Sequence, residues 1–191
     1  MCHHHLRFSR RGANGAGSLS RRSFLAALTV LAGAGFSGFS ATSAKAERAA
    51  KVDLPPPGPD DICPVCGMFV AKYPEWIATV LFKDGHADHF DGAKDFFKYL
   101  HDMPKYARGR TADQIAGMGV TDYYGVERID AKAAFYVIGS DVLGPMGHEL
   151  IPHATKEEAE EYFADHAGKR LLSYDEVAMP MLVGLDNGKF E

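Results

Sequence analysis

Two segments of the chain carry apolar residues at the same helical spacing, and this repeat constrains the fold more than any other feature. The segments superpose at one constant offset: Ala93, Phe96 and Phe97 in the first, and Ala159, Tyr162 and Phe163 in the second. Residues three and four positions apart lie on one face of a helix. Each segment therefore predicts a helix with one buried stripe, and the repeat indicates an internal duplication.

Each predicted helix follows two stretches with the character of strands. In the first unit, residues 76–82 are β-branched and aromatic, residues 83–85 are typical of a turn, and residues 86–90 supply the second strand. Asp91 comes next and is expected to cap the helix with its carboxylate. This order predicts a β-hairpin followed by a helix.

The second unit repeats that order and adds a strand. Residues 133–138 predict one strand, residues 149–152 form a short apolar segment, and Thr155 with Glu158 predicts a capping box for the helix. Residues 169–172 predict a closing strand. We therefore expect an α+β fold of two tandem ββαβ-type units. Residues 104–130, which are rich in Gly, Tyr and charge, receive no assigned element.

Residues 1–46 are typical of an export leader and not of the fold. The first 22 positions contain five arginines and no acidic residue, and a weakly apolar stretch follows that is too short to span a bilayer. The adjacent arginines within residues 21–25 indicate the twin-arginine route, and residues 44–46 are typical of a cleavage site. We expect a periplasmic chain that begins near Glu47. Cys2 precedes the apolar stretch, so no lipid-anchor cysteine is evident.

The rest of the chain divides into three parts by composition. Residues 47–60 are Pro-rich and predict a linker with extended, unpaired backbone. Residues 61–178 predict the folded domain, and residues 179–191 form a C-terminal tail that we cannot place. The formal net charge of −4 disfavours a nucleic-acid partner. No second long apolar run occurs, so membrane contact is expected only through a partner.

The motif with the clearest chemistry lies at the start of the predicted domain. Cys63, Cys66 and Met68 place two thiols and a thioether in one loop, and Gly67 lets the backbone turn so that they face one point. Soft sulfur ligands select soft metals, and Cu(I) is foremost among those that a periplasm supplies. The motif therefore predicts a Cu(I) site in a sulfur-rich surface loop.

Three other interpretations of the cysteine pair remain open. A structural zinc site normally needs four nitrogen or sulfur ligands, and there is no second CxxC pair. A thioredoxin-like pair opens a helix, whereas Pro74 discourages a helix after this one. A plain structural loop is the third alternative.

Further ligands must come from elsewhere in the chain. The candidates are His86, His89, Met146 and His148, and each is weighed against packing or exposure to solvent. His86 and His89 differ by three positions, so on a strand they face opposite sides and do not easily serve one site. We expect His101, His153 and His166 at the surface, and Met103 and Met118 to pack in the interior or in loops.

The motifs together resemble the NosL family over about residues 60–177. The resemblance is carried by residues 61–68, Pro145-Met146-Gly147, Ile151-Pro152 and residues 170–177. It implies a chaperone that delivers Cu(I) for assembly of the copper centre of periplasmic nitrous oxide reductase, beside an ABC-type transport complex. It also implies paired ββαβ units that in part resemble organomercurial lyase.

The resemblance implies metal roles for Cys63, Cys66, Met68 and Met146, which occupy the family's motif positions. Members of the family are expected to carry an anchoring cysteine at the mature start, and none is evident in this sequence. That departure implies a form without a membrane anchor here. We find no phosphate loop or nucleophile elbow and expect no enzyme. The rivals are a thiol-disulfide oxidoreductase and a carbon-metal lyase, and the lyase needs an acid beside the cysteines that the sequence does not reveal.

Overall fold

Residues 47–190 are described by a computed structural model, and the predicted leader, residues 1–46, lies outside them. This part forms two antiparallel sheets and four helices. The strands are β1 Ala78–Phe82, β2 Ala87–Phe90, β3 Ile115–Thr121, β4 Arg128–Asp130, β5 Phe135–Ile138, β6 Ile151–His153 and β7 Arg170–Ser173. The helices are α1 Ala93–His101, α2 Met103–Tyr106, α3 Lys156–Asp165 and α4 Met179–Asp186. The predicted α+β fold of two strand-strand-helix-strand units is confirmed.

The first sheet has the strand order β2-β1-β3-β4. The predicted hairpin is present: β1 pairs with β2 in a register that places Ala78 opposite Phe90. The central strand β3 falls in the segment that received no assigned element. Its glycines explain why, since Gly117 and Gly119 lower the strand propensity that a sequence pattern measures.

The glycines of β3 make room for the N-terminal segment. A Cβ at Gly119 would overlap the side chains of Val52 and Leu54, which cross β3 at this point. The backbone of this segment is paired, because Val52 N donates to Arg128 O at 2.9 Å and Asp130 N donates to Ala50 O at 2.8 Å. The prediction of unpaired backbone is therefore wrong for residues 50–52.

The second sheet has the order β6-β5-β7, and α3 packs on it. The predicted capping box is confirmed, because Thr155 Oγ1 accepts from Glu158 N at 3.1 Å and Glu158 Oε2 accepts from Thr155 N at 3.2 Å. The apolar stripe of α3 faces the sheet, and Ala159 and Tyr162 are fully buried. The closing strand is also confirmed as β7.

The helix α1 joins the core of both sheets. Phe96 meets Phe90 of the first sheet edge to face at a ring distance of 5.8 Å, and Phe97 meets Tyr136 of the second sheet at 5.1 Å. All four rings are almost completely buried. Burial of a Phe side chain stabilises a fold by about 1.5–3 kcal/mol, so this aromatic column fixes α1 against both sheets.

One histidine was predicted at the surface and is not there. His153 lies on β6 with no exposed area, and neither ring nitrogen has a hydrogen-bond partner among the described residues. Every residue of this three-residue strand is buried, so the alternation that would send one side chain to solvent does not apply. The surface prediction for His153 is wrong.

Candidate metal centre

The segment from Cys63 to Met68 forms a narrow hairpin, which we call the thiol hairpin. Cys63 N donates to Met68 O at 2.8 Å, and Gly67 N donates to Cys63 O at 2.9 Å. Gly67 has a φ of +79°, which residues with a Cβ rarely adopt, so glycine permits this turn as predicted. Both cysteines are free thiols. Cys63 is buried and Cys66 half-buried, so the predicted surface loop is exposed at only one of its thiols.

Two carboxylates lie beside the thiols. Cys66 Sγ donates to Asp91 Oδ1 at 3.1 Å, and Cys63 Sγ donates to Asp95 Oδ2 at 3.5 Å. The two sulfurs and one oxygen of each carboxylate lie within 4.8 Å of one another. We call this group the thiol-carboxylate cluster. Acids do stand beside the cysteines, so the ground on which the lyase was set aside is wrong.

Burial and hydrogen bonding set the protonation of the cluster. The hydrogen bond with Cys66, burial and the charge of Asp95 raise the pKa of the Cys63 thiol well above its ordinary value. Cys63 is therefore a neutral thiol at neutral pH, and a metal must displace its proton to bind. Asp91 is buried, and its Oδ2 accepts no hydrogen bond from the described residues. That oxygen is free to accept a further hydrogen bond.

Asp91 does not cap α1, contrary to the prediction from sequence. Gly92 is the N-cap residue and no side chain of its own segment closes the helix end. The carboxylate of Glu149 takes that role from a distant loop by accepting from Lys94 N. A Cβ on Gly92 would overlap Glu149, which explains the glycine. Burial raises the pKa of Glu149 to about 8.

Lys94 clamps the loop of Met146 onto α1. Its side chain is 1% exposed, and Nζ donates to Met146 O at 3.0 Å and to His148 O at 2.8 Å. The same Nζ lies 3.2 Å from Asp186 Oδ1 at the end of α4. One buried cation thus ties two separate segments to the helix that carries Asp95. We call residues 144–148 the methionine loop.

A groove of about 720 Å³ opens beside Cys66. Cys66, Met146 and Met179 line it together, and the charged ends of Asp95 and Lys98 form part of its wall. Met146 is 45% exposed. The structure therefore brings Cys66 and Met146 to one groove, as the sequence analysis required of a shared site. Met179, from the unplaced tail, joins them.

The remaining predicted site residues lie outside the cluster and the lining of the groove. Met68 is half-buried, and its carbonyl closes the thiol hairpin. His86 is exposed and pairs with Asp88 at 3.1 Å. His148 packs its ring against Phe190 at 4.9 Å. His89 is nearly buried and bonds Thr79 Oγ1 at 3.0 Å, so the two strand histidines face different surroundings as expected.

Sequence reasoning missed Asp91 and Asp95 as neighbours of the thiols. Asp91 was expected to cap the helix, and Asp95 lies on α1 between Lys94 and Lys98, where alternating charges are typical of a solvated helix face. The local sequence gives no sign that this face is covered. Which segment covers it depends on contacts across 25 and 32 residues, which no local spacing reveals.

Comparison with known proteins decides the family. A sequence profile of the NosL family matches residues 56–182, more than half of the chain. The chain belongs to the NosL family. Its relatives in that family include the copper-binding lipoprotein NosL of Stutzerimonas stutzeri, which is 27% identical over 135 residues. The match covers 64% of this chain and 64% of that relative, so the chain spans less than two thirds of the relative's length.

A solved NosL structure shares the fold. The crystal structure of the copper chaperone NosL from Shewanella denitrificans matches with a TM-score of 0.56 at 24% identity. The match covers 67% of this chain and 97% of that chain. Among residues 47–190, no helix is long and apolar enough to cross a membrane.

Proposed function

We propose that this chain is an exported Cu(I)-binding metallochaperone that delivers copper for assembly of the copper centre of nitrous oxide reductase. The observation that carries the proposal is the pair of free thiols beside a groove lined by two methionines. Thiols and thioethers are the soft donors that favour Cu(I). The names of the two NosL relatives, a copper-binding lipoprotein and a copper chaperone, support copper as the cargo.

The two thiols suit different tasks in carrying a metal. Cys63 is buried, so it suits a thiol that keeps the metal away from solvent while the protein is loaded. Cys66 is half-buried and lines the groove, so a recipient's ligand can reach the metal there. Because the cargo would then leave by stepwise ligand exchange, copper need not be free in solution.

The protons of the thiols must leave when copper binds. Asp91 and Asp95 already accept hydrogen bonds from Cys66 and Cys63, so each thiol has a carboxylate beside it that can take its proton. Loading would therefore release protons to solvent through the carboxylates, and binding would weaken at acid pH.

Zinc and disulfide exchange are weaker candidates for this site. Two thiols and two carboxylates would satisfy the ligand count of zinc, but the methionines of the groove add nothing to zinc affinity. A redox-active thiol needs a depressed pKa, whereas burial and hydrogen bonding raise the pKa of Cys63. The thiol hairpin also does not lie at the N-terminus of an α-helix.

The carboxylates favour a carbon-metal lyase as a second candidate function. Such an enzyme holds its metal with two thiols and protonates the leaving carbon with a nearby acid, and both kinds of group lie in the cluster. We place the carrier first because the two methionines in the groove have a use in copper transfer and none in that reaction. Release of benzene from phenylmercuric acetate by the purified protein would decide for the lyase.

Location and partners complete the proposal. The leader and the lipoprotein name of the relative support export to the periplasm, and the leader's arginine pair supports the twin-arginine route. The partners would be nitrous oxide reductase and its ABC-type maturation complex. To test the recipient, the copper-loaded protein is incubated with copper-free nitrous oxide reductase, and the copper content of the reductase is then measured.

The metal test uses the exported protein under anaerobic, reducing conditions. Competition with bicinchoninate should give one tightly bound Cu(I) per chain that excess Zn(II) does not displace. Cys63→Ser and Cys66→Ser should each weaken Cu(I) binding by more than tenfold, because each removes a soft ligand, and we expect a similar loss in Met68→Leu.

The matched control is Met103→Leu, since Met103 is buried and belongs neither to the thiol-carboxylate cluster nor to the lining of the groove. Its Cu(I) affinity should equal that of the unchanged protein. Equal affinities in both serine variants and the unchanged protein would remove the thiol pair from the metal site and with it the proposal.

A further inference from the structure

We propose that Met179 is a copper ligand, which together with Met146 contacts Cu(I) held by Cys66 in the groove. The inference rests on the proposed function and deepens it by naming a thioether that the sequence analysis could not place. Met179 stands in the C-terminal segment, more than a hundred residues from Cys66 along the chain. The fold alone brings the two sulfurs to one surface.

The groove lies between two helix faces. On α4, Met179, Val183 and Asp186 line it, and their spacing of four and three residues defines one face of that helix. The opposite wall is formed by Asp95 and Lys98, which share one face of α1, and by Asp102 at the end of that helix. Cys66 and Met146 enter from the thiol hairpin and the methionine loop.

The orientation of Met179 differs from that of the packing methionine next to it. Met181 is 8% exposed and belongs to the core with Leu182 and Leu185, which fix α4 against the fold. Met179 is half-buried and its side chain lines the groove. A helix needs only the buried residues to dock. Met179 also packs against the core, but it remains half-buried at the groove, so its thioether is available to a soft cation.

One clamp holds both thioether segments in place. Lys94 Nζ binds the backbone of the methionine loop and lies 3.2 Å from Asp186 of α4. Lys98 Nζ reinforces the same helix end, since it donates to Asp186 Oδ1 at 2.9 Å. The segments of Met146 and Met179 are thus held by the helix that also presents Asp95 to Cys63.

Thioethers suit an exchangeable position. Methionine sulfur is neutral and carries no proton, so copper gains or loses it without proton transfer. When a recipient draws Cu(I) from Cys63, the bond to that sulfur breaks and the thiolate takes one proton from solvent. A bond to a thioether forms in its place, and the metal stays Cu(I) throughout. The cargo then sits in the open groove, bound by weaker ligands.

The test is an anaerobic NMR titration of the exported protein labelled with [methyl-13C]methionine. Cu(I) is added as its acetonitrile complex up to one equivalent, and it is diamagnetic. The methyl signals of Met146 and Met179 should shift with saturation at one equivalent. The signals of Met103 and Met181 should stay in place, because both side chains are buried in the core. Single Met→Leu variants assign the signals.

The variant Met179→Leu should weaken Cu(I) binding by about threefold to tenfold, and Met181→Leu in the same helix should leave it unchanged. An unmoved Met179 signal in the unchanged protein, with one Cu(I) bound at the thiols, would overturn this inference and leave the proposed function standing. Absence of any Cu(I) binding would overturn both. The titration needs no substitution at Met179, so a folding defect in a variant does not affect its outcome.

Discussion

The helices α1 and α3 occupy equivalent places in the two units, yet their polar faces have opposite surroundings. The repeat that aligns their apolar stripes also aligns their charges: Asp91, Lys94 and Asp95 in the first unit, and Glu157, Glu160 and Glu161 in the second. The first set is buried and the second is exposed. A repeated pattern therefore predicts which face of a helix packs in the core, but not whether the opposite face is covered or exposed to solvent.

The segments that cover α1 lie outside the repeated pattern. The thiol hairpin precedes the first unit, the methionine loop joins β5 to β6, and α4 follows the second unit. On α3 the corresponding face meets only solvent. The candidate metal centre thus arises where three added segments meet the polar face of one of two similar helices. Charges buried in this way must be paired, whereas solvated charges need no partner.

Substitution of Lys94 tests the comparison with the largest expected effect. Lys94→Ala leaves the carbonyls of Met146 and His148 without their donor, and each acceptor left unsatisfied costs about 1–3 kcal/mol. We expect the free energy of unfolding in urea to fall by about 4 kcal/mol on that basis. Docking of α4 and of the methionine loop should loosen as well.

The equivalent position on α3 supplies the control for Lys94. Glu160 is exposed, and its ion-pair partner among residues 47–190 is Lys156 at 3.2 Å, so Glu160→Ala should change stability by no more than about 0.5 kcal/mol. Similar losses in the two variants would mean that the cover over α1 contributes nothing, and the contrast between the helices would fail.

The second unit buries a histidine, His153, on strand β6. Burial lowers the pKa of His153 from 6.5 to about 4. The groups that face the ring or act on its charge are Tyr123, Tyr124, Glu158, Tyr162 and His166. Only Glu158 opposes the loss of the proton. His153 is therefore neutral in the folded protein down to moderately acid pH.

The pH dependence of stability follows from that pKa. The unfolded chain binds the proton below about 6.5 and the folded chain only below about 4, so stability is full above the first value and falls as pH drops to the second. The loss is about 3 kcal/mol. His153→Leu should remove this part of the acid sensitivity, as measured by urea unfolding at pH 7 and pH 4. Parallel pH profiles for the two proteins would contradict the assignment.

Much of the fold could be predicted because its signals are local. The hairpin, both helix stripes, the capping box at Thr155 and the strand β7 each depend on residues within one short segment. The strand β3 could not be predicted, because Gly117 and Gly119 serve the packing of a distant segment and erase the strand pattern. The residues of helix α4 are almost all apolar, so they do not alternate with polar residues at the helical spacing from which a helix is predicted.

The candidate metal centre could likewise be predicted only where its signals are local. The thiol hairpin was evident because its ligand types and its glycine are adjacent in sequence, whereas Asp91 looked like a helix cap. Its carboxylate meets Cys66 instead, and Glu149 closes the helix from another unit. Such exchanges of partner depend on which loops cover a surface. No spacing rule states that, so Asp95 and Met179 were missed for the same reason.

The smallest expected effect concerns the cap of α3. Thr155→Ala removes a hydrogen bond to Glu158 N, and loss of such a cap costs about 1 kcal/mol. Urea unfolding should show that loss, while Cu(I) affinity should stay within about twofold, since a change of 0.4 kcal/mol or less is about that factor. The reason is that α3 closes its own N-terminus and shares no clamp with the metal centre. A Cu(I) affinity that falls in step with stability would show that the two units respond as one, and the separation drawn between α1 and α3 would not hold.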